Sequence, residues 1–178
     1  MSYYQFINGV KMDGEIIELA NKAMGQQGDG RISMYDAEKI FDAVQDEKRY
    51  TDVERDTVAY IMKEYRWTDA AYDWFMKRLS GLTEPEGIQR MPVDELSEHH
   101  FPKRDVLYTP EAQAARLHDL RTAMVETNDD HEELGLIVRL VTGERVEIMS
   151  NFIEVSGDHV QVRGGHMIPI HAIERVEI

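Results

Sequence analysis

Leu134-Gly135-Leu136-Ile137-Val138-Arg139-Leu140-Val141-Thr142-Gly143-Glu144-Arg145-Val146-Glu147-Ile148 marks a change of period in this chain. Leu136, Val138 and Leu140 alternate with Arg139, and Val146 and Ile148 alternate with Arg145 and Glu147. A period of two is that of a half-buried strand. Thr142-Gly143-Glu144 supplies a turn between two such strands. Before residue 134 the apolar residues recur every three or four positions, the period of a helix. The switch predicts an α+β chain, helical first and stranded last.

Working downstream, the turn at Thr142–Glu144 sets Leu140 opposite Val146 and Val138 opposite Ile148. A two-residue turn at Gly157-Asp158 sets Val155 opposite Val160 and Ile153 opposite Val162. A two-residue turn at Gly164-Gly165 sets Val162 opposite Met167 and Val160 opposite Pro169. These registers agree on one inner face, which Ile173 and Val176 would close. Five short strands over residues 134–178 predict a small, strongly bent antiparallel barrel, too small to hold an internal ligand once its valines and isoleucines fill it. The same register tests a zinc site at His159, His166 and His171. It places His166 opposite Arg163 and His159 opposite Ile170, about 13 Å apart along the ladder at roughly 3.3 Å per residue. Zinc ligands lie only about 2.0–2.1 Å from the metal, and His171 projects from the other face. No shared zinc site is expected.

The order of pieces in this tail is similar to small barrels of the Sm-like kind. The pieces are Val138 to Val146 with its Gly-containing turn, then Met167-Ile168-Pro169-Ile170-His171-Ala172-Ile173. The acidic Rho-binding antiterminator proteins share that general plan. The resemblance covers residues 134–178 and implies recognition through a barrel rim or an edge strand, not chemistry.

Working upstream, one phrase occurs three times: Arg31-Ile32-Ser33, Arg49-Tyr50-Thr51 and Arg66-Trp67-Thr68. Each is an arginine, a large apolar residue, then a helix-capping Ser or Thr. Asp13 caps a helix with Ile16, Leu19, Ala20, Ala23 and Met24 on one face, broken by Gly25 and Gly28. Ser33 caps a second, with Tyr35, Ala37, Ile40, Phe41 and Val44. Thr51-Asp52-Val53-Glu54 is a capping box for a third, with Val53, Val58, Ile61 and Tyr65. Thr68 caps a fourth, with Ala71, Trp74, Phe75 and Leu79, and Gly81 is the expected stop. Four such helices predict a bundle over residues 1–80. Its aromatic residues, Phe41, Tyr65, Trp67, Trp74 and Phe75, fall at core spacing and lack the basic groove of a base-stacking platform.

Asp29-Gly30-Arg31-Ile32-Ser33-Met34-Tyr35-Asp36 resembles part of an EF-hand loop. Gly30, Ile32 and Asp36 fit its sixth, eighth and twelfth positions, and Asp29 fits the fifth. Gly25 and Gln27 fall where the family has carboxylates, and Asp36 stands in place of the bidentate Glu. In the following loop Tyr50 takes the eighth position, Ala43 the first and Lys48 that of the glycine, leaving Glu47 and Glu54 as acids. The resemblance covers residues 14–65. It implies a minimal bridge between Ile32 and Tyr50, and as an alternative function a calcium-responsive protein with Asp29 and Asp36 as the remaining ligands. No cofactor is the main expectation.

Between the halves, Pro85, Pro92 and Pro102 mark an extended connector, in which Val93-Asp94-Glu95-Leu96 suggests one helical turn. His99 and His100 point to opposite sides of an extended chain and make a poor chelate. Thr109, Pro110 and Glu111 open a fifth helix over 110–126. Its stripe, Gln113, Leu117, Leu120 and Met124, suits one partner surface, the bundle or a second chain, so a homo-oligomer is allowed. Asn128-Asp129-Asp130 is the expected end.

Net charge is −14, and residues 81–133 hold 13 acids against 5 bases. An acidic surface repels phosphate backbones, which argues against nucleic-acid binding. The acids Asp129, Asp130, Glu132 and Glu133 form the candidate docking site for a protein partner, one with a basic face. There is no cysteine, so disulfides and thiolate chemistry are excluded. The N-terminus lacks the basic and apolar regions of a signal peptide, and no apolar run reaches the ~18 residues of a membrane span. A cytoplasmic setting is expected. Ser150 with His159, and Ser156 with Asp158, are the candidate nucleophile and base pairs, but none lies in a catalytic motif. Together these readings predict a bundle over 1–80 with EF-hand-like loops, an acidic connector over 81–133 and a small barrel over 134–178. The expected function is that of a non-catalytic, protein-binding adaptor or regulator acting through the connector and the barrel.

Overall fold

The computed structural model describes residues 3–25, 29–46, 49–130 and 132–178 of the chain, without the side chain of Asp130. Gln27, Glu47 and Lys48 of the loop readings, and Gly28, the expected helix breaker, lie outside the described residues. The chain is α+β and forms two compact units, Met1–Pro85 with Val141–Gly143, and Glu86–Leu140 with Glu144–Ile178.

The first unit opens with a hairpin, β1 (Tyr4–Ile7) and β2 (Val10–Asp13), joined at Asn8-Gly9. The helices are α1 (Gly14–Met24), α2 (Met34–Val44), α3 (Asp52–Glu64) and α4 (Asp69–Thr83). Each starts where its cap predicts. The Asp13 carboxylate accepts from Glu15 and Ile16, and Thr68 accepts from Ala71. Ser33 with Asp36, and Thr51 with Glu54, form capping boxes. Helix α4 runs through Gly81 to Thr83. Gly81 is therefore not its stop: Glu84 keeps helical backbone, the chain tightens there into the 3-10 turn Glu84–Glu86, and Pro85 has no amide with which to continue the α-helical ladder.

The expected four-helix bundle is not what these helices build. Helix α2 packs on α1 and α4, whereas α3 packs on β2 and on α1. Met12 of the hairpin and Val141 are buried in the same core as Ile16, Ile40, Ile61 and Phe75. A strand and a distant turn therefore occupy faces that further helix contacts would fill in a bundle. The aromatic rings meet edge to face, Phe41 with Trp74 at 5.7 Å and with Phe75 at 6.0 Å. Such pairs contribute roughly 0.5–1.5 kcal/mol each beyond their burial. The Tyr50 hydroxyl donates to the Thr142 carbonyl at 3.0 Å, and the Thr83 hydroxyl donates to the Gly143 carbonyl at 2.7 Å.

The bridge expected between Ile32 and Tyr50 is replaced by a parallel bridge between Ile32 and Trp67. The Ile32 amide donates to Arg66 and its carbonyl accepts from Thr68. Both backbone groups of Ile32 are thus taken, and none is left for Tyr50.

The second unit holds β3 (Gln89–Arg90), helix α5 (Pro110–Asp130), β4 (Leu134–Arg139), β5 (Arg145–Ser150), β6 (Ile153–Ser156), β7 (His159–Val162), β8 (Met167–Pro169) and β9 (Ile173–Glu177). The expected barrel does not form. The strands make two separate sheets, ordered β3-β5-β4-β9 and β6-β7-β8. The break falls after Ser150, whose hydroxyl donates to the Phe152 carbonyl and accepts from the Phe152 and Arg163 amides. Beyond it, Asn128 of α5 takes both backbone groups of Ile153, as a neighbouring strand would. Leu120 and Ala123 of α5, and Leu96 from the 3-10 turn Val93–Glu98, fill the core between the strands.

Two registers also differ. Val138 pairs with Val146 and Leu136 with Ile148, a shift of two that keeps the same face inward. The Gly157-Asp158 hairpin pairs Val155 with Val160 and Ile153 with Val162 as read from the sequence. The next connection takes three residues, Arg163–Gly165, rather than two, so Val160 pairs with Ile168 and not with Pro169. The one-residue slip turns Ile168 inward and leaves Met167 exposed.

Candidate functional site

Helix α5 carries the acids singled out in the sequence. The Thr109 hydroxyl accepts from the Ala112 amide, and Pro110 is the first helical residue. The buried face is Arg116, Leu120, Ala123 and Thr127, spaced by four, three and four. Arg116 is the departure from the sequence reading, which put Gln113, Leu117 and Met124 on the main stripe. Its guanidinium makes two bonds to the Asp105 carboxylate, at 2.9 and 2.6 Å, and a third to the Ile173 carbonyl at 3.0 Å. That fork geometry is what arginine, unlike lysine, can offer.

At the far end, α5 runs past residue 126 and ends within the expected Asn128-Asp129-Asp130, where Asn128 also has a packing role. The Asn128 amide bonds to Ile153, and the helix continues to Asp130. Met124 accepts from the Val155 amide through its sulfur at 3.4 Å. Helix α5 is therefore pinned to β9 near one end and to β6 near the other. Its exposed side carries acids alongside His118, Arg121 and Val125. Asp119, Glu126 and Asp129 are exposed, and so are Glu132 and Glu133 beyond the helix. None of these five makes an ion pair with another described residue. Asp119 and Glu126 were not among the sequence candidates, although their spacing of seven and three to Asp129 puts them on one helical face.

The other candidates are kept apart. Ser150 is buried, with its hydroxyl engaged at the turn, while His159 Nδ1 lies 2.5 Å from Asp158. That contact, first as a hydrogen bond and then as charge, holds the Asp158 carboxyl below its ordinary range. Ser156 and His159 are partners across the hairpin turn, and Asp158 turns to His159 rather than to Ser156. His159 pairs across the sheet with Pro169, not Ile170. His166 lies 3.4 Å from Asp94, and His171 Nε2 lies 2.6 Å from the Pro102 carbonyl. The three histidines thus face three different partners.

Asp29 and Asp36, the candidate calcium ligands, each serve a local backbone. Asp36 accepts from the Ser33 amide and hydroxyl, and Asp29 accepts from the Arg31 amide and guanidinium. Calcium takes six to eight oxygens, and the described part of this loop brings two carboxylates already met by protein donors. Among the described residues no group of three or more His, Asp or Glu is placed to hold a metal ion. No described helix is long and apolar enough to cross a membrane. In comparisons with known proteins, no family model, curated protein or solved structure matches the chain.

Proposed function

We propose that this protein is a non-catalytic adaptor or regulator that binds a basic protein partner on the outer face of α5 and the acidic segment that follows it. The observation that carries the reading is a set of exposed acids without an ion pair to another described residue, Asp119, Glu126 and Asp129 on a helix held from behind by Arg116 and Asn128, and Glu132 and Glu133 in the segment after it. A pinned helix presents its charges at fixed spacing, which lowers the ordering cost of binding. A like-charged cluster on a −14 chain steers a cationic partner and repels an anionic one. The setting proposed is the cytoplasm. With the barrel gone, the barrel rim drops out of the reading, and α5 takes its place.

The test uses a partner recovered by affinity capture. Neutralising Asp129, Asp130, Glu132 and Glu133 to Asn or Gln should slow its association without changing the melting curve. The wild-type rate should fall with salt, because exposed charges are screened over about 8–10 Å near physiological ionic strength. An association rate unchanged by the four substitutions across the salt series would reject electrostatic docking at this face.

A further inference from the structure

The N-terminal hairpin has an edge whose backbone groups have no hydrogen-bonding partner among the described residues. Asn8 and Gly9 both have positive φ, 51° and 81°, as a two-residue type I′ turn requires. Such a turn makes Ile7 and Val10 a hydrogen-bonded pair, and bonded pairs alternate along an antiparallel ladder. Gln5 with Met12 is then the next bonded pair. The Gly14 amide donates to the Tyr3 carbonyl at 2.8 Å, which continues the same parity. Tyr4 and Phe6 lie between, so their amides and carbonyls point away from β2. No bond from these groups to a described residue exists. The opposite edge of the hairpin is occupied, with the Asp13 amide donating to Thr57 at 2.7 Å.

The side chains at this edge match its backbone. Met12 is buried and faces the helices, while Tyr4 and Phe6 are 47% and 73% exposed on the other face. Phe6 lies opposite Lys11, and Tyr4 lies opposite Asp13. From residue 3 to residue 12 there is one lysine and no acid, in a chain with 34 acids. An open edge with exposed aromatics is a template for adding a strand.

We infer that the β1 edge pairs with the β1 edge of a second copy of this chain, antiparallel, with Tyr4 opposite Phe6 of the other copy. This register is two-fold symmetric about Gln5, so the contact is self-complementary and closed. It uses both outward amides and both outward carbonyls on each side. Each rung across the joined sheet then reads Lys11, Phe6, Tyr4 of the second copy and Asp13 of the second copy. The rung ends carry opposite charge, about 14 Å apart at roughly 4.8 Å per strand. Like charges meet nowhere in it, and the two aromatic pairs lie side by side. Two four-residue strands bury well under the ~1,200 Å² of a standard interface, so the dimer is weak and exchanging. This inference is independent of the acidic face of α5.

Sedimentation equilibrium of the full chain tests it. A reversible monomer–dimer equilibrium is expected, with Kd of about 10 μM to 1 mM for so small a contact. Raising salt should tighten it, because screening relieves the repulsion between two chains of charge −14. That is the opposite of the salt dependence expected for a basic partner. Phe6→Lys should abolish the dimer while the melting curve is kept. Tyr4→Pro should do the same by removing the outward amide, since proline is tolerated on a free edge. Tyr35→Ser removes an equally exposed aromatic on α2 and should leave the dimer intact. A strict monomer up to about 1 mM, or a dimer indifferent to both edge variants, overturns the inference.

Discussion

Ile32 and Trp67 are joined by a single parallel bridge, the Ile32 amide donating to Arg66 at 2.7 Å and the Thr68 amide donating to Ile32 at 3.0 Å. It ties the first and third of the repeated Arg-apolar-Ser/Thr phrases. Because each bridged residue directly precedes an N-cap, the bridge sets the starts of α2 and α4 beside one another. Ile32 is fully buried there, and the Trp67 ring lies 5.0 Å from Phe75. Ile32→Ala should cost about 2–5 kcal/mol, the range for deleting a core isoleucine to alanine. A double-mutant cycle with Trp67→Phe should show coupling of about 0.5–3 kcal/mol. Denaturant unfolding measures both, and a cost under about 1 kcal/mol would show that the bridge does not organise the core.

Thr51→Ala removes one half of the capping box with Glu54 and leaves that nearly buried carboxylate without the hydroxyl that donates to it. The expected loss is about 1 kcal/mol, a fall of several degrees in melting temperature for a unit of this size. An unchanged melting curve would show that the start of α3 is held by other contacts.

Gly143 has φ of +89°, and a Cβ placed on it would come within 2.8 Å of the Leu79 backbone. Gly143→Ala therefore combines a left-handed backbone with an overlap that no side-chain rotation relieves. A loss of at least about 2 kcal/mol is expected by thermal or denaturant unfolding. A neutral substitution would mean that this turn sits further from α4.

Arg116 and Asp105 should respond asymmetrically. Asp105→Ala strands a guanidinium that is 4% exposed, whereas Arg116→Met leaves a carboxylate that water can reach, at 24% exposure. Breaking a buried pair costs about 3–5 kcal/mol when a charge is left alone, and replacing it with an apolar group costs far less. Asp105→Ala should thus be the more damaging, with its figure reduced by the partial exposure of the carboxylate. Equal losses for the two variants, read by denaturant unfolding, would contradict this account.

Local signals in the sequence determined the helix starts. Asp13, Ser33, Thr51, Thr68 and Thr109 each act on amides two or three residues away, so neighbours in sequence suffice. The Gly157-Asp158 turn determined its own hairpin in the same way. Asn8-Gly9 between Ile7 and Val10 is an equally local hairpin signal, and with the spacing of Asp119, Glu126 and Asp129 it was legible in the sequence but not used. Tertiary structure alone decided the rest. Whether Ile32 meets Tyr50 or Trp67 depends on which helices pack, because the lone bridge has no local preference. Whether β6 is covered by a strand or by Asn128 depends on α5 lying beside it, a partner 25 positions away. The slip that turned Ile168 inward came from one added turn residue, since a period of two allows either face until a core selects one. Barrel or two sheets, bundle or helices around a hairpin, were choices among apolar surfaces of similar pattern. The hydrophobic effect that drives them is non-directional, so only the assembled packing could choose.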